Sequence, residues 1–455
     1  MSIQSEIRPF EVTHRGMLAI AAPMTLAYLS TPVVGVVNLG AVGQIGDPAM
    51  VGGVAIGALI FSFIFSTFNF LRAGTTGLVA QAVGAGDKAS ASEWLARALL
   101  LAIAIGLAVV LLREPIATLG LRLVGGSEAV QAATRDYWHV RALATPFTLA
   151  NYVVLGWLIG LGRAGLGLAL QIVLNGVNIV LSLVFVLGLG LGVEGVGWAS
   201  FTAEAGTALV GVVVIIRLTG GADWPRLARI IERAGFLRMI AVNRDIMIRS
   251  FVLLTAFGFF TAQSARGGDV TLAANEILLN FTALAAFFLD GLAAAAEQFA
   301  GRAVGARYRA GFDRSLRLVI GWGFAVAVVV SLVVLLAGPW LIDLMTTSPE
   351  VRAVARQYLP FAALVPLAGT LAYQMDGVFI GATWSVEMRN MMLVSLAVYF
   401  AAWAVLAPLL GITGLWIALL ILLGVRGVTL LWMTRGKADA VFPKAAAAAQ
   451  VPSER

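Results

Sequence analysis

The chain has 455 residues, 60% of them hydrophobic and 12% charged, about half the charged share of a soluble domain. It has no cysteine and only two histidines, His14 and His139, which removes disulfide and thiolate chemistry and leaves no metal site to expect. The formal charge of +7 fits Lys- and Arg-rich loops beside a membrane and does not call for nucleic acid.

A membrane-crossing helix needs ~20 mostly apolar residues. Twelve such segments read along the chain, at 17–42, 49–78, 93–113, 137–162, 165–189, 194–217, 239–264, 272–300, 315–340, 355–382, 388–409 and 411–434. The polar residues 1–15 and the long apolar run behind them do not fit a cleaved leader. The first helix carries Pro23 and Pro32, each of which removes a ladder hydrogen bond and can bend it, and then Asn38. Arg72 on the second helix is expected near the inner surface, where a long side chain reaches water. The fourth carries Asn151 and then Gly156 and Gly160, small residues four apart that allow close backbone approach.

On the fifth helix Gln171, Asn175, Asn178 and Ser182 fall at i, i+4, i+7 and i+11 and make one polar stripe. With Asn38 and Asn151 facing it, the stripe is expected to wall a hydrated cavity, interhelical hydrogen bonding being the alternative. Glu204 lies near the middle of the sixth helix with no basic residue at its depth on the fifth, which makes it the candidate proton-coupling acid. Residues 218–238, with Trp224-Pro225 and an Arg-rich run, are expected to form a linker and an amphipathic surface helix. Arg249 and Asp290 sit at matched depth on the seventh and eighth helices and are expected to form a structural ion pair. Glu297 and Asp376 fall near inner helix ends, where they are expected at the membrane surface.

The chain says the same thing twice, about 221 residues apart. Ala80-Gln-Ala-Val-Gly84 recurs as Gly301-Arg-Ala-Val-Gly305, and Gly156-Trp-Leu-Ile-Gly160 as Gly377-Val-Phe-Ile-Gly381. Each copy holds six helices, an even number, so both enter from one side as parallel repeats. The division expected is 1–16 amino-terminal segment, 17–217 first lobe, 218–238 linker, 239–434 second lobe and 435–455 tail. Arginine is concentrated before the first helix, in the linker, after the eighth helix and in the tail. That places both termini in the cytoplasm of a multi-pass inner-membrane protein. No phosphate-binding loop and no nucleophile–base constellation appears, so neither an ATPase nor another enzyme is expected, and energy would come from an ion gradient.

Several of these segments resemble the multidrug and toxic compound extrusion (MATE) family, most closely its DinF-like branch. They are Phe70-Leu71-Arg72 through Gly84, Gly156 to Gly160, Asn243-Arg244-Asp245, Ala273-Ala274-Asn275-Glu276, Leu289-Asp290-Gly291 and Asp376-Gly377 to Thr383. The resemblance implies twelve helices in two six-helix lobes around a central cleft. It implies export of small organic, cationic or amphipathic compounds against proton or sodium entry, with no cofactor. Asn38 and Ser182 stand where the family's coupling acids usually lie, and neither can bind and release a proton near neutral pH. The expected protein is therefore an all-α antiporter, monomeric in the bilayer. Its substrate and ion cavity is formed by Asn38, Asn151, Gln171, Asn175, Asn178 and Ser182. A lipid-linked precursor flippase of the same superfamily and an integral-membrane enzyme are the alternatives.

Overall fold

The computed structural model describes residues 9–220 and 224–442. Residues 1–8, 221–223 and 443–455, parts of the expected amino-terminal segment, linker and tail, lie outside the described residues. Every regular element among the described residues is a helix. Eleven are long and apolar enough to cross a membrane, and a twelfth crossing is made by two helices that meet at 51°. In order, spans 1 to 6 are His14–Gly43, Pro48–Ala85, Lys88–Leu111, Glu128–Leu143 with Thr145–Gly160, Ala164–Gly188 and Gly192–Thr219. Spans 7 to 12 are Arg233–Arg266, Asp269–Gly305, Arg309–Met345, Pro349–Gly381, Ser385–Leu410 and Ile412–Val441.

The duplication holds to the residue. Spans 2 to 5 begin at Pro48, Lys88, Glu128 and Ala164; spans 8 to 11 begin 221 residues later, at Asp269, Arg309, Pro349 and Ser385. Local chemistry sets these starts. Asp47 caps span 2 by accepting from the Ala49 amide, with Pro48 in the first turn. Gly86 ends span 2 at φ +70°, a left-handed geometry natural to glycine, and Asp87 then caps span 3. Ser348 caps span 10 ahead of Pro349.

The copies differ where the chain is broken. Span 4 bends between Leu143 and Thr145, just before Pro146, whereas span 10 runs unbroken through Pro360 and Pro366. Span 1 stays helical through Pro23 and Pro32. The expected amphipathic helix in the linker is a single turn, Leu227–Ile230; span 7 takes up the chain from Arg233.

Glycines fix the packing, and they do so in register. A side chain at Gly156 would meet the Arg72 carbonyl, and one at Gly377 the Ala293 carbonyl. Likewise Gly160 faces the Thr76 carbonyl and Gly381 the Glu297 carbonyl. These are the same contacts in the two lobes, span 4 on span 2 and span 10 on span 8. Between lobes, Gly84 faces the Arg302 carbonyl and Gly305 the Gln81 carbonyl, so spans 2 and 8 cross backbone to backbone. Gly74 against Asn243 and Gly77 against the Ile380 carbonyl extend the seam. The termini share one face: Asp439 of span 12 pairs with Arg309 at 2.7 Å, while Val12 accepts from Arg314.

Glycine-to-alanine changes should therefore split by position. Gly84→Ala and Gly305→Ala should both lower the melting temperature and the monodisperse yield, because each methyl meets a backbone carbonyl. Gly206→Ala and Gly258→Ala, where a methyl meets nothing, should be neutral or stabilising by up to about 1 kcal/mol. Thermal unfolding of the purified protein in detergent checks the sign at all four.

Candidate functional site

The polar stripe of span 5 is present, and it is largely closed by hydrogen bonds. Gln171 donates to Asn175 at 3.1 Å, and Asn175 donates to Ser30 of span 1 at 2.7 Å. Ser182 donates to Asn178 at 3.3 Å, and Asn178 donates to Ser200 of span 6 at 3.1 Å. The stripe thus ties span 5 to its neighbours on both sides. These bonds are those of the interhelical alternative to a hydrated wall. In a low-dielectric interior, amides and hydroxyls satisfy one another wherever the helices bring them within reach. A small cavity of about 20 Å³, enough for one water, is lined in part by Asn151, Gln171 and Thr207. The Thr207 hydroxyl and Asn38 Oδ1 are buried and make no hydrogen bond among the described residues.

Glu204 is not alone. Asn151 donates to its carboxylate at 2.8 Å, and the Arg141 guanidinium lies 3.6 Å from it. Both partners come from span 4, and both carboxylate and guanidinium side chains are 9% exposed. Arg141 ends the first half of the bent span and also lies 3.7 Å over the Phe61 ring. Span 6 contributes a stripe of its own, Ser200, Glu204 and Thr207 at i, i+4 and i+7. The same helical spacing that revealed span 5 would have revealed it.

At the boundary between lobes the structure rearranges the expected charges. Arg72 does not reach the surface: it is buried and grips Glu297 with two hydrogen bonds, of 3.0 and 3.1 Å, across the two lobes. Arg249 pairs at 3.1 Å with Asp376 of span 10, not with Asp290, and Arg426 of span 12 pairs with the same carboxylate oxygen. Asp376 and Glu297 are thus interior partners, not surface groups. Asp290 has no ion pair within 4 Å among the described residues, although Arg72, Arg249 and Arg426 surround it closely enough to act on its charge. Sequence inspection passed over Arg426, yet a lone arginine inside Leu422-Leu-Gly-Val-Arg426-Gly-Val was visible as a mid-membrane charge in need of an acid.

Loss of Asp376 leaves two buried guanidiniums without their carboxylate, an arrangement that costs ~3–5 kcal/mol for one broken pair in soluble proteins. Asp376→Ala should therefore reduce folded yield far more than Asp290→Ala, which breaks no pair. Replacing Arg249 or Arg426 together with Asp376 should recover part of the loss. Size-exclusion yields of the four variants check the order.

The comparisons with known proteins agree with this architecture. The MatE family model matches residues 23–184 and again 246–409, one match in each repeat. The chain is 39% identical to DNA damage-inducible protein F of Escherichia coli strain K12 over 90% of both chains. It is 26% identical to a probable multidrug resistance protein NorM of Caulobacter vibrioides, over 90% of this chain and 86% of that one. A crystal structure described as MATE in the bent conformation superposes with a TM-score of 0.85 at 19% identity, covering 94% of this chain and 96% of the other. With twelve spans in two glycine-packed repeats, each matched by the family model, the chain belongs to the MATE family of membrane transporters and is not an enzyme.

Proposed function

We propose that the protein is a secondary active exporter of small organic, cationic or amphipathic compounds, working by alternating access and driven by proton or sodium entry. It would act as a monomer in the inner membrane with both termini in the cytoplasm. The observation that carries this reading is the placement of inter-lobe contacts. Among the described residues, every hydrogen bond and ion pair between the lobes lies between the termini face and Arg72–Glu297. None lies beyond that pair toward the opposite face. Polar contact between the lobes is thus confined to one side, and beyond it the lobes meet through apolar groups such as Phe63 on Phe251 at 6.4 Å, an asymmetry that fits one of the two states that alternating access needs. The names of the relatives, multidrug resistance proteins among them, support the substrate class.

The flippase reading is less well supported. Recognition of a pyrophosphate needs surplus positive charge, and here Arg72, Arg141, Arg249 and Arg426 stand against as many acids, their partners Glu297, Glu204 and Asp376 and also Asp290 on span 8.

For proton coupling, Glu204 is our candidate in the first lobe. Its 3.6 Å approach to Arg141 is longer than a tight charge-assisted contact, so the carboxylate can exchange Arg141 for a proton while Asn151 keeps it in place. In proteoliposomes, Glu204→Gln should abolish the dependence of export on a pH gradient while leaving substrate binding measurable. Unchanged gradient-driven export in that variant would remove Glu204 from the coupling and point to sodium or to Asp290.

A further inference from the structure

We infer that two straps, one ahead of each repeat, clasp the lobes together across the termini face, and that their release sets how readily the cleft opens there. The first strap leads into one lobe and docks on the other, and the second lies in the segment that joins the two lobes and docks on the first. The first is residues 9–13, ahead of span 1. Phe10 lies against Phe299 and Tyr308 with ring centroids at 6.4 and 5.8 Å, beneath the Arg302 guanidinium at 4.3 Å. The Val12 carbonyl accepts from Arg314 Nε at 2.5 Å, and His14 Nδ1, at the head of span 1, accepts from the Trp322 indole at 3.1 Å. All five docking residues belong to spans 8 and 9 or the turn between them.

The second strap is residues 226–238, the end of the linker and the first residues of span 7, and it docks on spans 2 and 3. Arg97 donates to the Ile230 and Arg229 carbonyls at 3.1 and 2.6 Å. Arg238 lies over the Trp94 ring at 5.7 Å and donates to Gln81 at 3.3 Å. The straps are related by the repeat. Gln81 and Arg302, one on each strap's path, are equivalent positions. Arg314, which holds the first strap by a backbone carbonyl, lies one helical turn from the position equivalent to Arg97, which holds the second the same way. Arg97 is buried and Arg314 exposed, and each grips main chain in another segment, a clamp whose sequence requirement lies on one side only.

These contacts bear on function because of their topology. Rigid separation of the lobes on this face must break them, so their free energy enters the conformational equilibrium directly. They are also unequal. The first strap is packed by aromatic rings, whereas the second spans a groove of about 500 Å³ lined by Asp87, Trp94, Arg97, Glu232 and Arg238. The first strap therefore depends on its rings, whereas the second keeps the buried Arg97 clamp even when Trp94 and Arg238 are replaced.

The inference rests on the alternating-access reading, and a single experiment separates the two. The chain has no native cysteine, so spin labels go only where they are placed. Lys88→Cys with Ala310→Cys reports the width of the termini face across the lobes, and Lys88→Cys with Arg122→Cys reports the integrity of one lobe. Electron–electron distance measurements in lipid nanodiscs, with and without an imposed substrate cation such as tetraphenylphosphonium, are then made on wild type and two loosened variants. Phe10→Ala with Arg314→Gln should raise the population of the wide inter-lobe distance by roughly fivefold, the scale of one or two lost hydrogen bonds. Trp94→Ala with Arg238→Ala should raise it less. The within-lobe distance should not move in either. A wild type that opens, with variants indistinguishable from it, would overturn the straps alone. A wild type of fixed width in every condition would overturn the alternating-access reading and the straps together. A shifted within-lobe distance would show that the substitutions disturb the lobe itself, and would overturn the strap assignment for that pair.

Discussion

Spans 2 and 8 cross with backbone against backbone at Gly84 and Gly305, and the rest of the molecule is arranged around that contact. A membrane interior gives helices no hydrophobic reason to associate, so association depends on close packing and on polar contacts. Gly84 and Gly305 supply the closeness, each facing the carbonyl three residues before its counterpart. Ala80 and Gly301, which are equivalent positions in the two copies, touch each other. A contact between a residue and its own repeat mate can lie only on the pseudo-two-fold axis, so the axis passes here. The orientation of the lobes follows from this point outward: Gln81 reaches Gly381 and Thr383, and Arg72 reaches Glu297.

The buried charges depend on that arrangement in turn. A charged side chain at the centre of a bilayer costs ~2.5–3.5 kcal/mol on insertion scales, and each of the four interior arginines meets an acid. The two lobes meet the cost differently. The first lobe is mostly neutral amides and hydroxyls with one ion pair, Arg141–Glu204. The second concentrates charge, with two arginines sharing Asp376. Between them Arg72–Glu297 can form only when the glycine crossing brings span 2 against span 8. The repeat has kept the backbone packing the same on both sides while the polar content has diverged.

That division explains what could be read from the sequence. The repeat offset and the apolar runs are one-dimensional signals, and the starts of spans 2 to 5 and 8 to 11 keep the 221-residue spacing to the residue. Gly156 with Gly160 and Gly377 with Gly381 were legible as close-packing sites because their chemistry is spacing alone. The partners of the charges were not legible. Position along a helix gives depth, and Arg249 and Asp290 do match in depth, but depth says nothing about which way a side chain faces around the helix. Span 10, not span 8, presents the acid to Arg249, and span 4 supplies the cation for Glu204. Likewise the period of the Gln171 to Ser182 stripe identified a polar face without saying whether water or Ser30 and Ser200 would lie against it. Long-range neighbours are a property of the crossing angles, which the glycines set and the amino-acid order only implies.

The same geometry argues for where motion would be resisted. In a rigid rocking of two bodies, atoms move in proportion to their distance from the pivot. Arg72–Glu297 is the deepest inter-lobe ion pair, and beyond it the lobes share ring contact, Phe63 on Phe251, but no hydrogen bond among the described residues. The glycine crossing lies nearer the termini face, and the contacts of residues 9–13 and 226–238 lie at that face itself. If the pivot lies near the buried pair, opening toward the termini strains Arg72–Glu297 least and the outermost contacts most. The bidentate geometry can then survive small rotations, while the surface hydrogen bonds and ring contacts must part. This ordering places the expensive buried charges where displacement is smallest. Under the proposed rocking, the contacts that would part are mostly single hydrogen bonds and ring contacts, whose loss is individually modest.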